Sequence, residues 1–323
     1  MKILQKILYK NRFAKHYFHI ILRNEFLRKV LFKEYNKMSF DEKHDLYNHA
    51  KDYLSCKTFN ISQSHVNLFF GDKLILIPIK NGSEHNIGRA FAFLGHDFEV
   101  KETYLDLIMN DKINCFYDIG ANYGHHSILF LSQEIEVLSF EPNTLCHDEI
   151  LEITSINNFN NYELIKKAVG EENSNAKLVF PKNSTWLGKI EESLNNNDDN
   201  LVNEIISIDV EIIKLDDFSI GKTSPDIIKI DTEGFEINVL NGGLETIKES
   251  NPYVIFESFG IENETNEIFD FFDKLNYQIL NLPLKNISKP ITNKDSIIGI
   301  QANYLAVPES KMSVIDRIIR SKS

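Results

Sequence analysis

Phe116–Ser127 reads FYDIGANYGHHS, an apolar run that stops at Asp118 and gives way to Gly120, Ala121 and Gly124. The apolar residues read as a buried strand and the glycines as the tight turn after it, with His125, His126 and Ser127 opening a helix. Small residues at such a turn leave room for a ligand beside the amides that start the helix. A glycine turn alone is weak, because many α/β proteins use one only to reverse direction. The next apolar run, EVLSFEPN, ends in Glu141, 21 positions after Gly120. An acid about 20 positions beyond the turn, at the tip of the next strand, can accept from both ribose hydroxyls of a nucleoside. Together the two motifs point to a nucleoside-containing cofactor.

The same residues bear on which nucleoside. Dinucleotide sites use G-x-G-x-x-G, whose second glycine gives the backbone access to the pyrophosphate. Asn122 stands at that second position, and Asp118 would put an anion beside any pyrophosphate. A cofactor with a cationic amino group and no phosphate fits better, which favours S-adenosylmethionine over NAD. Two rivals stand beside this reading: an NAD-dependent sugar-modifying oxidoreductase, and a non-catalytic relative that keeps the fold within a glycan-assembly complex.

Outward from this stretch, strands are predicted near 113–118, 135–140, 162–166, 226–230, 252–257, 277–281 and 302–307. Helices are predicted at about 123–133, 143–156, 234–248 and 263–275. Alternation of this kind implies a mostly parallel sheet covered on both faces, with ligands at the carboxyl ends of its strands. HVNLFFGDKLILIPIK, residues 65–80, carries two β-rich runs around Gly71-Asp72 and predicts a hairpin. Residues 176–215 read as a second hairpin, interrupted by the acidic, Asn-rich IEESLNNNDDNLVNE of 190–204, either a mobile lid or a solvated insertion. The expected division is a basic helical extension over 1–60, a hairpin and lead-in over 61–110, a Rossmann-like domain over 111–308, and a basic amphipathic tail over 309–323.

The whole chain carries a net charge of −12, yet residues 1–38 hold ten Lys or Arg against Glu25 and Glu34. The remaining body is therefore strongly acidic and repels polyanions, so no nucleic-acid partner is expected. The basic N-terminus reads either as a helical cap docked by its apolar stripe or as an amphipathic helix on anionic lipid. KMSVIDRIIRSKS, residues 311–323, has the same character. No apolar run approaches the roughly 18 residues of a membrane span, and three unpaired-looking cysteines without CxxC spacing suggest a reducing compartment. The main body is expected to be cytoplasmic, with the inner membrane face as a further address.

DIGANYGHHS and SFEPN are followed by KKAVG (Lys166–Gly170), KLDDF (Lys214–Phe218), IIKIDTEGFEINVLNGG (Ile227–Gly243) and PYVIFES (Pro252–Ser258). In this order the blocks resemble the FkbM family of S-adenosylmethionine-dependent methyltransferases, over roughly residues 95–307. The Asp231–Gly243 block is the specific part. The resemblance implies a class I methyltransferase fold: a seven-stranded, mostly parallel sheet with its last strand antiparallel, and helices on both faces. It also implies methylation of oxygen, leaving S-adenosylhomocysteine. By position, Asp118, Gly120, Ala121, Asn122, Gly124 and Ser127 would surround the methionyl part of the cofactor, and Glu141 would hold the ribose. Pro142 and Asn143 would shape the adenosine pocket, Ala168 would lie near the adenine, and Glu99 would face the methionine end. By the same analogy the acceptor is a sugar hydroxyl in a surface glycan or lipid-linked saccharide, and the partner set admits a second copy of the chain.

Methyl transfer from a sulfonium is an in-line displacement that benefits from a base at the acceptor hydroxyl. Asp231 is the first candidate, with Glu233 and Glu257 second and third. Each has a plainer reading, since Asp231 can cap the following helix and Glu233 can complement its dipole. Asp231 and Glu233 offer hard oxygen ligands for a divalent metal, but two acids fall short of a coordination set, and no metal site is expected. His125 as a catalytic group and Trp186 as a sugar-stacking ring are weaker candidates.

Overall fold

The computed structural model describes residues 65–79, 93, 95–182, 187–191 and 205–322, with five isolated positions between 24 and 38. The helical extension expected over 1–60, Trp186 and nearly all of the acidic insert lie outside the described residues. The chain divides into two compact units, residues 1–102 with 152–159, and residues 103–151 with 160–323.

In the first unit His65–Phe70 (β1) and Lys73–Pro78 (β2) pair antiparallel around Gly71-Asp72, so the expected hairpin forms. Alternate residues Val66, Leu68, Phe70, Ile75 and Ile77 are buried, as a strand's period of two requires. Asn157 ties β2 down, accepting from Leu76 N at 2.8 Å and donating from Nδ2 to Leu76 O at 2.8 Å. Phe98–Asn110 (α1) begins in this unit, with Glu99 in its first turn.

The second unit is built on three short strands buried at nearly every position. These are Cys115–Ile119 (β3), Glu136–Phe140 (β4, after the short helix α2, Ser127–Ser132) and, later in the chain, Ile227–Ile230. A strand covered on both faces carries apolar residues without alternation, which is why CFYDI, VLSF and IIKI read as continuous runs. Thr144–Ile156 (α3) leads to Tyr162–Ile165 (β5), and Ala168–Gly170 (β6) opens a separate small sheet. That sheet continues with Ser174–Pro181 (β7), Lys189–Ile190 (β8) and Ile205–Lys214 (β9), in the order β6-β9-β7-β8. β7 and β9 are antiparallel, so the second hairpin forms as well, extended by two strands the sequence did not reveal.

The one-turn helix Leu215–Phe218 (α4) precedes Ile227–Ile230 (β10). The helix expected over 234–248 is instead two, Glu236–Gly242 (α5) and Leu244–Ser250 (α6). Packing dictates the break. A Cβ on Gly242 would lie 1.9 Å from the carbonyl oxygen of Gly170, so α5 runs hard against β6 at that point. The second helix is then restarted by a side chain from elsewhere, Asp216, whose Oδ1 accepts from Thr246 N and Thr246 Oγ1 at 2.8 Å each. Tyr253–Ser258 (β11), Glu262–Lys274 (α7), Tyr277–Asn281 (β12), Ala302–Pro308 (β13) and Met312–Ser321 (α8) complete the chain.

The main sheet has the order β12-β13-β11-β10-β3-β4-β5, with β13 antiparallel to both neighbours and the other described pairs parallel. The chain leaves β3 toward β4 and β5, then crosses back to β10 on the other side, so the switch point lies beside β3. α8 buries Ile315 and Ile318, and Lys322 pairs with Asp106 at 2.7 Å, so the apolar stripe of the tail is packed within this unit. Among the described residues no helix is long and apolar enough to cross a membrane.

Candidate active site

Ile119 is in register with Phe140 on one side and Ile230 on the other. The residues that follow, Gly120, Glu141 and Asp231, therefore meet at the carboxyl edge of the three central strands. Gly120 has φ +80°, and a Cβ there would fall 1.8 Å from the carbonyl oxygen of Asp231. Its requirement for glycine thus comes from the neighbouring chain as well as from the turn, rather than from ligand access alone. Gly124 also has a left-handed φ, +75°, and would bring a Cβ to 3.1 Å from Ile150. Ala121 is buried, and its carbonyl accepts from Gly124 N at 2.8 Å, closing the turn.

Asp118 is buried, and its Oδ2 accepts from Ser127 N at 3.0 Å and Ser127 Oγ at 2.5 Å. Ser127 Oγ also meets Ser139 Oγ at 2.6 Å. Ser127 is fully enclosed, and its hydroxyl orients the Asp118 carboxylate. Asp118 Oδ1, by contrast, is buried and has no hydrogen-bond partner among the described residues. Burial raises the Asp118 carboxyl to about 6, against the opposing pull of the Lys229 ammonium. A buried carboxylate oxygen left open in this way is completed by a cationic donor. The amino group of S-adenosylmethionine is one.

Glu141 is held from both sides. Oε2 accepts from Asn122 N at 2.6 Å and Oε1 from Asn143 N at 2.7 Å, which fixes the carboxylate and leaves each oxygen a further acceptor site. The Asn122 amide points correctly because Asn122 takes φ +50°, a left-handed conformation that asparagine tolerates better than most residues. Burial raises Glu141 to about 7, offset in part by the two amides. Its own carbonyl meets His147 Nε2 at 2.7 Å. Asn143 is also the start of α3, its Oδ1 accepting from Leu145 N at 3.1 Å. Pro142 stands between these two at the strand tip, and Ala168 begins β6 in a buried position. Glu99 belongs to the first unit, in the first turn of α1.

Beyond β10 the site is acidic. Asp231 is 28% exposed and its Oδ2 receives Lys229 Nζ at 2.6 Å, while Lys229 itself is 1% exposed. Lys229 was not singled out from the sequence. A lysine inside the apolar run IIKI has to find a partner, and Asp231, two residues on and hence on the same face, was the available signal. Lys229 is also directly opposite Asp118 in the β3–β10 register. Glu233 takes φ +57°, strained for a residue other than Gly, Asn or Asp, and is followed by Gly234 at +105°. Its carboxyl is raised to about 8, first by burial and then by Asp231 and Glu257. Glu257, at the end of β11, accepts from Gln301 Nε2 at 2.9 Å and is raised to about 7 by burial and Asp231. The turn Asp231–Gly234 wraps the carboxylate of fully buried Glu236, a second residue that the sequence did not mark. His126 meets Tyr104 Oη through Nδ1 at 3.0 Å, edge-on to the tyrosine ring, as a packed core histidine. Among the described residues no group of three or more His, Cys, Asp or Glu has the arrangement of a metal site.

A sheet of this order with one antiparallel strand, and acids at the tips of its first two strands, is the class I methyltransferase fold. The methyltransferase FkbM domain matches residues 118–279, half of the chain, and the protein belongs to that family of S-adenosylmethionine-dependent methyltransferases. No curated protein sequence matches it. Among solved structures it is similar to a methyltransferase FkbM from Methylobacillus flagellatus, at 16% identity and a TM-score of 0.40, over 60% of this chain and 43% of that one. An rRNA methylase from Streptococcus thermophilus matches at 10% identity and a TM-score of 0.37, over 64% and 93%. A precorrin-6y C5,15-methyltransferase from Geobacter metallireducens matches at 8% and 0.34, over 63% and 85%. The chain thus spans less than half the length of the first of these relatives.

Proposed function

We propose that the chain transfers a methyl group from S-adenosylmethionine to a hydroxyl, with a sugar of a surface glycan or lipid-linked saccharide as acceptor. The observation that carries the reading is the pair of fixed carboxylates at the switch point. Asp118 keeps one buried oxygen open for an ammonium, and Glu141 keeps acceptor capacity for the ribose hydroxyls. Family membership supports the cofactor. The cofactor supplies an electrophilic methyl on a sulfonium, and everything else falls to the protein.

Asp231, Glu233 and Glu257 lie close enough to raise one another's carboxyls, and carboxylates are suited to orienting the donors of a polyol. In this reading Glu233 rather than Asp231 is the base. Asp231 has one oxygen committed to Lys229, whereas Glu233 has a proton affinity tuned close to neutral pH, as a general base requires. In this scheme the acceptor oxygen forms its bond to the methyl carbon as the carbon–sulfur bond breaks, and the hydroxyl proton passes to Glu233. Asp231 and Glu257 place the acceptor. The acidic mouth agrees with a neutral saccharide and disfavours a polyanion such as nucleic acid.

The test is mass spectrometry of glycans and glycolipids from cells with and without the gene. The reading requires a species heavier by one CH₂ that depends on the gene and on Glu233. Identical profiles with and without the gene would contradict a glycan acceptor.

A further inference from the structure

The buried stretch of β4, Val137–Phe140, holds one polar residue, Ser139, whose side chain has no exposure. Burying a hydroxyl in an apolar strand costs free energy unless a hydrogen bond compensates it. Ser139 is in register with Asp118 of β3, and Asp118 is in register with Lys229 of β10. The three side chains therefore share one face of the sheet as a polar row, each at most 1% exposed, which ends at Leu164 on β5 and Ile255 on β11. At one end of the row Lys229 donates to Asp231. At the other, Ser139 Oγ lies 2.6 Å from Ser127 Oγ, which donates to Asp118 Oδ2 at 2.5 Å. Ser127 N donates to the same oxygen at 3.0 Å. Counting protons gives the serine pair its direction. Ser127 has one hydroxyl proton and an ionised Asp118 only accepts, so the proton between the two serines comes from Ser139.

We propose that Ser139 is a positioning residue of the cofactor site, acting on Asp118 through Ser127. Its hydroxyl donates to Ser127 Oγ and so commits the Ser127 proton to Asp118 Oδ2. With the Ser127 amide on the same oxygen, the carboxylate is fixed in one orientation. Oδ1, which has no hydrogen-bond partner among the described residues, is then left for the amino group of S-adenosylmethionine. Without the Ser139 hydroxyl, the buried Ser127 oxygen loses its donor and the Ser127 hydroxyl is no longer held to one direction. Each donor in such a chain also polarises the next, so the contact to Asp118 is strongest when the chain is complete. Lys229 faces the carboxylate from β10, so Asp118 is flanked by a cation on one neighbouring strand and by the hydroxyl chain from the other. The inference rests on the assignment of Asp118 Oδ1 to the cofactor's ammonium.

Calorimetry with two ligands at pH 8 separates this role from a merely structural one. S-adenosylhomocysteine carries the amino group, whereas 5′-methylthioadenosine keeps the adenine and ribose but lacks the amino-acid part. Ser139→Ala should weaken S-adenosylhomocysteine roughly two- to tenfold, as expected for one neutral hydrogen bond, and leave 5′-methylthioadenosine unchanged. Ser127→Ala should weaken S-adenosylhomocysteine as well. Adding Ser139→Ala to Ser127→Ala should cost nothing further, because the effect passes through Ser127. Ser139→Cys keeps the volume with a weaker donor and should fall between Ser139→Ala and the native chain. Should Ser139→Ala fail to fold, Ser139→Cys decides. Equal weakening of both ligands, additive losses in the double variant, or native S-adenosylhomocysteine affinity in Ser139→Ala overturns the proposal. Asp118→Asn tests the underlying assignment and should weaken S-adenosylhomocysteine at least about tenfold. Native affinity in that variant removes the ammonium assignment and the proposal with it. A weakened Asp118→Asn beside an unaffected Ser139→Ala overturns the proposal alone.

Discussion

Replacing Glu141 by Gln exposes the cofactor site to two separate measurements. The carboxylate accepts from the amides of Asn122 and Asn143, and its remaining acceptor sites are assigned to the ribose hydroxyls. Hydrogen bonds to a charged acceptor contribute about 1.5–3 kcal/mol each and those to a neutral one about 0.5–1.5 kcal/mol. Gln at 141 also turns a donor toward one of the two backbone amides. The net loss in S-adenosylhomocysteine affinity is therefore about 1–3 kcal/mol, or roughly five- to 150-fold in Kd. The second measurement is pH. Glu141 is raised to about 7, so at pH 6 only about a tenth of the free protein carries the ionised form that the ribose demands, and affinity should be about tenfold below its alkaline plateau. Glu141→Gln removes that dependence and leaves only the one set by Asp118, which ionises near 6. Titration calorimetry with S-adenosylhomocysteine between about pH 5.5 and 8.5 measures both. An unchanged Kd for the variant, or a native affinity that does not rise with pH, would refute the ribose assignment.

Further expectations follow from the same contacts. Gly120→Ala combines a strained φ with a Cβ 1.8 Å from the Asp231 carbonyl and should cost at least about 3 kcal/mol of stability by denaturant unfolding. Gly221→Ala, at φ +78° with open space around it, should cost only about 1–2 kcal/mol, and equal costs would show the close approach to be unimportant. Lys229→Met strips the cation from beside Asp118 and Asp231. The loss should fall below the roughly 3–5 kcal/mol of a fully buried pair, because Asp231 is 28% exposed, and a variant as stable as the parent would dismiss the pair. Asp118, Glu141, Glu233, Glu236 and Glu257 all have folded values raised to between about 6 and about 8. The native state therefore holds protons that the unfolded chain has released. The stability these groups provide is complete below about pH 4 and is lost as pH rises toward about 8, so Tm of the cofactor-free protein should fall from pH 5 to pH 8. A rise over that interval would contradict the burial of these acids.

The central strands were legible because strands buried on both faces must be apolar throughout, so FYDI, VLSF and IIKI stood out between glycines and acids. The spacing from Gly120 to Glu141 was legible for a related reason, since one helix and one strand of ordinary length separate two neighbouring strand tips. What depends on tertiary contact was not. The Gly-Gly pair in NVLNGGLETIK weakens a helix locally, but the approach of Gly242 to Gly170 that accompanies the break at Gly243 is a tertiary contact. That Ser127 turns inward to donate to Asp118 could not be read from its position in the run. The glycine at 120 was read as serving the tight turn and ligand access, and the neighbouring Asp231 carbonyl adds a requirement that no local reading shows. The pairing of Asp231 with Lys229 was equally invisible, because it depends on a lysine buried inside the apolar run IIKI. Glu236 gave no sign at all, because its function is to complete a turn whose shape the sequence does not specify.

The carboxyl edge of β3 and β4 is assigned to S-adenosylmethionine. Calorimetry of the purified chain with S-adenosylmethionine, S-adenosylhomocysteine and NAD, each alone at pH 8, tests it. A single site for each sulfur nucleoside, weakened by Glu141→Gln, and no heat of binding with NAD are expected. Binding of NAD with neither sulfur nucleoside bound would contradict it.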